Sequence, residues 1–293
     1  MTLEQLRIFL AVAEREHVTR AAEALNLTQS AVSAAVRALE ARHGVALFHR
    51  VGRRIELTEA GRLFQGEATA VLARVQAAEL VLSDLGGLRR GTLSVAASQT
   101  IASYPLPALL VRFRAAFPGI EVRVTAGNTT AVAQAVLDGA VELGFVEGGV
   151  DEPALFSTPI AQDRLALVVA PGHPWAGRES VGRDDLAHGD WVLREPGSGT
   201  RSAFEAALRG LGLDPGALRV TLELPSNEAV RAVVEAGGGA SALSEHVVAV
   251  SLATGRLTRI GPLLPPRAFS MLRHRERYRS RAAEAFIDLI RSV

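Results

Sequence analysis

Apolar residues recur at helical spacing in the first forty positions. Leu3, Leu6, Phe9, Leu10 and Ala13 mark one face of a first helix. Thr19 is a candidate cap for a second helix through Ala21, Ala22 and Leu25, and Asn26-Leu27 make a tight turn. Thr28 caps a third helix whose Val32, Ala35, Val36 and Leu39 face inward. Gly44 ends it. Val45, Leu47 and Phe48 anchor a strand, Gly52 marks a turn, and Ile55 and Leu57 return as a second strand. From Glu59 the apolar positions become Phe64, Ala68, Val71, Val75, Ala78, Leu82 and Leu85, alternately four and three apart. That heptad seam predicts a helix that pairs with a second copy of itself. Leu80 and Val81 lie off the seam, where they can touch the head. Gly86-Gly87 and Gly91 then place a hinge.

Beyond the hinge the rhythm changes to strand, helix, strand. Gly91–Ala97 reads as a buried strand, Tyr104–Phe117 as a helix, Ile120–Val124 as a strand, a helix opens at Asn128-Thr129, and Glu142–Val146 is a third strand. A second unit begins at Leu165–Val169. It continues through strand Trp191–Leu193, helix Thr200–Leu211, strand Val220–Leu224 and helix Asn227–Ala236, before Phe269–Arg273 and a helix from Arg281 to Ile290 return to the first unit. The fold class is therefore α/β: a winged helix-turn-helix, a long linker helix and a two-lobed α/β body. The expected boundaries are 1–58 for the DNA-binding head, 59–90 for linker and hinge, and 91–293 for the body. Lobe I takes 91–161 and 265–293; lobe II takes 162–264.

Charge adds a local rather than a global signal. There are 32 basic and 31 acidic residues, so nucleic-acid affinity must reside in a patch. Every basic residue is arginine, which matches the coding bias of a GC-rich genome. No cysteine is present, which excludes disulfides and thiolate metal sites. The opening residues carry Glu4, Arg7, Glu14 and Arg15 and do not read as a secretion signal; no apolar run is long enough to span a bilayer. A cytoplasmic location and no membrane partner are the expectations.

Candidate chemistry clusters in two places. On the third helix Thr28, Gln29, Ser30, Ser33 and Arg37 lie on or near the outward side. Small polar residues allow close approach to a groove floor, Gln29 can pair with adenine, and Arg37 can reach phosphate or guanine. Arg50, Arg53 and Arg54 crowd the hairpin and suit phosphate or minor-groove contact. In the body, ligands of open α/β lobes sit beyond strand C-termini, where helices begin. Ser98, Gln99, Thr100, Asn128, Thr129, Glu147, Ser198, Gly199, Thr200, Arg201 and Asn227 fall there. The loop Arg194–Arg201 offers glycine N–H groups, hydroxyls and a helix N-terminus, which favour an anion. Each of these residues also has an ordinary use as a cap or turn former. Glu147 argues against a purely anionic pocket unless it faces away, pairs with arginine or meets a cationic group.

Ala21-Ala22-Glu23-Ala24-Leu25, Thr28–Ser33, Leu39-Glu40, Leu47-Phe48-His49-Arg50 and Leu57-Thr58-Glu59-Ala60-Gly61 together resemble the head and linker of the LysR-type transcriptional regulators. The departures are Ala34, where the family often has a long polar side chain, and Ser30, where it often has proline. The body is similar to that family's periplasmic-binding-protein-like effector domain. Phe145–Gly148 and Arg194–Arg201 resemble the branch of sulfur-assimilation and carbon-fixation regulators. The resemblance implies duplex DNA, RNA polymerase, further copies of the chain (a dimer or a tetramer of dimers) and a small effector as partners. The effector would be an oxyanion such as sulfite, or a carboxylated or phosphorylated metabolite. No cofactor is expected. The alternative is a small-molecule-binding protein or enzyme built on the two lobes. Against an enzyme, Ser198 has no evident base, the seven histidines lack metal-ligand spacing, and His173 reads as a loop residue, so no catalytic or metal residue is expected.

Overall fold

A computed structural model describes residues 1–51, 54–84, 91–178, 181–261 and 263–292. Two compact units are present, one holding the elements up to the linker helix and the other the α/β elements that follow.

The first unit is built from α1 (Leu3–Arg15), α2 (Val18–Leu25), α3 (Gln29–His43), the hairpin β1 (Phe48–Val51) and β2 (Arg54–Leu57), and α4 (Glu59–Asp84). Thr2 and Gln5 form a reciprocal capping box on α1. The N-cap of α2 is His17, not Thr19: the His17 ring accepts the Arg20 N–H, and Thr19 falls inside the first turn. Asn26 takes the left-handed conformation that turns α2 into α3, and Thr28 Oγ1 accepts the Ala31 N–H as expected. Leu6, Phe9, Ala13, Leu39, Leu47, Leu57 and Ala68 form one core cluster; Leu3 stays largely exposed.

Several motif residues turn out to be scaffold. Glu40 on α3 accepts the N–H groups of Leu47 (2.8 Å) and Phe48 (3.1 Å), fixing the hairpin's start to the helix. Thr58 Oγ1 donates to the Ala46 carbonyl and accepts the Gly61 N–H. A methyl at Gly61 would collide with the Leu47 carbonyl oxygen, so the tight docking of α4 requires glycine. Val45 is exposed and does not anchor the strand, which begins only at Phe48. Along α4, Phe64 and Ala68 pack on the unit's own core, joined by the off-seam Leu72. Val71 and Leu82 remain exposed. Val81 is also exposed, contrary to the expected contact with the head. The side chain of Leu80, and Leu85, Gly86 and Gly87, lie outside the described residues.

The second unit holds a seven-stranded mixed sheet and a separate two-stranded parallel sheet, with flanking helices. Its first lobe follows β3 (Gly91–Ser98), α5 (Gln99–Ser103), α6 (Pro105–Ala116), β4 (Ile120–Gly127), α7 (Thr129–Asp138) and β5 (Leu143–Glu147). β3 pairs parallel with both β4 and β5. Leu93, Val95, Phe113, Phe145, Phe269 and Phe286 fill its core. The expected strand at Leu165–Val169 is the end of a longer β6 (Leu155–Val169) that runs through both lobes. Its first half is largely exposed and does not alternate apolar with polar residues, so its periodicity carries little strand signal. The second lobe adds α8 (Arg183–His188), β7 (Asp190–Arg194), α9 (Gly199–Gly210), β8 (Arg219–Leu224), α10 (Asn227–Glu235), β9 (Ser241–Ser244), α11 (Glu245–Ala253) and β10 (Thr258–Ile260). β11 (Pro266–His274) then returns antiparallel between β6 and β5, and α12 (Arg281–Arg291) closes lobe I. Trp191, Phe204 and Leu208 lead the second lobe's core.

Candidate functional site

The first candidate site is the outer side of α3. Gln29, Ser30 and Arg37 are exposed and Ser33 is half-buried, while Val32 and Leu39 on the opposite side are fully buried. Thr28 spends its hydroxyl on the cap and on Ser30 Oγ at 3.1 Å. Gln29, Ser30, Ser33 and Arg37 are therefore the better candidates for touching a base or phosphate. Arg50 is exposed on β1. Arg54 opens β2, and Arg53 lies outside the described residues.

The second candidate site lies where lobes I and II meet. The ends of β3, β5 and β7 and the starts of α5, α7, α9 and α10 converge there. Five hydrogen-bonded pairs of residues join these segments directly across the lobes. Gln99 Nε2 donates to the Pro225 carbonyl (2.8 Å) and its Oε1 accepts the Asn227 N–H (3.1 Å). Asn227 Nδ2 donates to Thr100 Oγ1 at 3.1 Å. Asn128 caps α7 through the Ala131 N–H and donates to Glu195 Oε1 at 3.2 Å; the Thr130 N–H donates to the Gly197 carbonyl. Thr129 Oγ1 donates to the Glu147 carbonyl. The lobes are thus latched together, and Gly199 packs so tightly on β5 that an added Cβ would strike Thr129 Oγ1 at 2.5 Å.

Most charges at this seam are already matched. Arg194, buried, holds Glu195 with Nε and Nη2 and Asn227 Oδ1 with Nη1. Burial pushes the Glu195 carboxyl up, but the Arg194 guanidinium, its own backbone N–H and Asn128 together hold the group below its ordinary value. The Arg201 guanidinium pairs with Glu205 (2.9 Å) and Glu223 (2.6 Å) on its own lobe. Glu205 stands four residues on in the same helix, a signal legible in the sequence. Thr200 Oγ1 accepts from Arg267 Nη1. Arg267 and its partner Asp163 escaped the sequence reading. Asp163 Oδ2 accepts from both Nε (2.8 Å) and Nη2 (2.7 Å), and Oδ1 accepts from Ser244.

Among the described residues at this seam, three polar groups keep hydrogen-bonding capacity to spare. Ser98 occupies the N-cap of α5 without capping it, and its buried Oγ has no partner. Ser198 occupies the N-cap of α9 and likewise makes no side-chain cap bond. Glu147 is 4% exposed and accepts only the Thr100 N–H, at 3.2 Å on Oε1. A buried hydroxyl without a partner costs stability unless something fills its need. A separate cavity of about 730 Å³ lies behind α9, lined by Ala203, Ala206, Leu264 and Pro266 among others. It is mainly apolar, and the unspent polar groups do not line it. Among the described residues no cluster of His, Asp and Glu fits a metal ion, and no helix is long and apolar enough to cross a membrane.

Comparison with known proteins decides the family. Residues 3–62 match the model of the bacterial regulatory helix-turn-helix protein, lysR family, and residues 86–293 match that of the LysR substrate binding domain. The chain belongs to the LysR family. It is 38% identical over 291 residues to the uncharacterized HTH-type transcriptional regulator YeiE of Escherichia coli K12, covering 98% of this chain and 96% of that one. It is 34% identical to a probable RuBisCO transcriptional regulator of Cyanophora paradoxa, covering 99% and 91%. The regulatory domain of CcmR from Synechocystis PCC6803, solved in complex with 2-PG, superposes with TM-score 0.62 at 28% identity, covering 69% of this chain and 97% of that one. This LysR-type regulator thus joins a DNA-binding head to an effector-binding domain, and the enzyme reading falls away. The carbon-fixation resemblance is matched by the RuBisCO-regulator relative.

Proposed function

We propose that this regulator reads duplex DNA with α3 and the hairpin, and answers to a small acid held between lobes I and II. The observation that carries the ligand half is the pair of N-cap serines, Ser98 and Ser198, whose hydroxyls cap nothing where the lobes converge. With the first-turn N–H groups of α9 they supply donors for an oxyanion, a carboxylate or a phosphate. A relative's regulatory domain in complex with 2-PG supports the same class. Exposed Val71 and Leu82 on α4 support pairing with a second copy, and two heads then meet two half-sites about one DNA turn apart. RNA polymerase is the further partner in this reading.

The DNA half has a two-part test by quantitative footprinting on the duplex upstream of the protein's own gene. Gln29→Ala should cost roughly 1–3 kcal/mol of discrimination against random DNA, because a paired base contact is lost. Arg37→Ala should weaken all sequences alike and flatten the salt dependence by about one counterion per head. Unchanged discrimination in Gln29→Ala would remove that residue from the interface.

A further inference from the structure

Glu147 is out of place in an anion site. It ends β5, is almost wholly buried, and stands beside the start of α9, where Gly199 packs on its carbonyl oxygen. Among the described residues no cation pairs with it. Arg194 is taken up by Glu195 and Asn227, Arg267 by Asp163 and Thr200, and Arg201 by Glu205 and Glu223. Oε1 accepts the Thr100 N–H, and Oε2 takes no hydrogen bond among the described residues. Nor is Oε2 among the sealed-off, unpartnered atoms, whereas Ser98 Oγ is. The carboxylate therefore offers one free acceptor next to hydroxyl donors that have nothing to donate to.

A carboxylate only accepts. An anion with no proton to give would set its charge against that of Glu147 with little water between them. An acid that also carries an O–H or N–H donor turns the same carboxylate from a repulsive into a bonding group. We infer that the cleft selects small acids carrying a hydrogen-bond donor beside the acid group. The acid group meets Ser98, Ser198 and the α9 N-terminus, and the donor meets Glu147 Oε2. Hydroxy acids, amino acids and partly protonated oxyanions share this chemistry; plain carboxylates and fully deprotonated oxyanions lack it. The inference rests on the cleft reading above and adds the ligand class to it.

The test uses the full-length protein and matched probes that differ by the donor: lactate or alanine against propionate, and inorganic phosphate against sulfate, at neutral pH. Binding is read by calorimetry and thermal shift. In the unaltered protein the donor-bearing member of at least one pair should bind tenfold or more tighter than its twin, since a site built for a donor leaves its acceptor unpaired with the other. In Glu147→Gln that ratio should fall close to one. Lactate against alanine separates a hydroxyl from an ammonium donor. If twins bind equally while Ser98→Ala and Ser198→Ala abolish binding, or if the preference survives Glu147→Gln, the selection by Glu147 is overturned and the cleft reading stands. If no probe binds, or binding ignores both serine substitutions, the cleft reading itself fails.

Discussion

Asp163→Ala should lower the thermal midpoint of the effector-binding unit by roughly 6–20 °C. The reasoning is local. Asp163 and Arg267 have side chains 1% and 5% exposed, and one carboxylate oxygen takes two guanidinium N–H groups. Removing one member leaves the other charged, desolvated and unmatched, which costs about 3–5 kcal/mol. In a unit of about two hundred residues each kcal/mol moves the midpoint by some 2–4 °C. Ser244 loses its acceptor as well, and Arg267 is freed from its place against Thr200 at the start of α9. Stability and ligand binding should therefore fall together. Glu121→Ala supplies the control. Its pair with Arg123 is exposed on both sides, and its loss should leave the midpoint unchanged. Equal shifts for the two variants, read by scanning calorimetry, would show that the buried pair holds nothing together.

Gly199→Ala is the second large effect, and it comes from a single methyl group. The new Cβ would meet the Glu147 carbonyl oxygen and Thr129 Oγ1, both held by β5 and α7. Backbone does not yield to a methyl, so α9 must lift from β5. The expected result is a loss of roughly 1–3 kcal/mol in stability, together with at least a hundredfold weaker binding of any acid that uses the α9 N-terminus. Gly210, at the other end of the same helix, has open space around its missing Cβ. Gly210→Ala should be neutral or stabilising by up to about 1 kcal/mol, as expected for alanine in a helix. Binding that survives Gly199→Ala at full strength would show that ligand does not approach that helix start.

The contrast between those residues marks what a sequence can disclose. The head was legible because each of its helices carries its own apolar period and three of its motifs fix local geometry. Glu40 and Gly61 show why those motifs hold their residues: one ties α3 to the hairpin, and the other lets α4 dock. His17 was missed as a cap because an imidazole acceptor is outside the usual set of Ser, Thr, Asp and Asn. Ser98 and Ser198 were legible as strand-end, helix-start residues, yet only the fold shows that neither caps its helix. The pairing of Arg201 with Glu223 on a neighbouring strand is not written locally. Asp163 and Arg267, 104 positions apart, left no periodic trace. The same holds for Gln99 and Asn227, 128 apart. Long-range polar pairing has no spacing rule, so the seam between the lobes appears only once the chain is folded.

Occupancy of the cleft and grip on DNA are two ends of one equilibrium in this account, and linkage makes the coupling reciprocal. The most direct measurement is the affinity of the full-length protein for its own upstream duplex at fixed salt, without ligand and with the tightest-binding probe acid at saturation. A change of about 5–150-fold is expected, absent in Ser198→Ala, with the duplex altering the acid's affinity by the same factor. An acid that fills the cleft yet leaves duplex affinity untouched would contradict it.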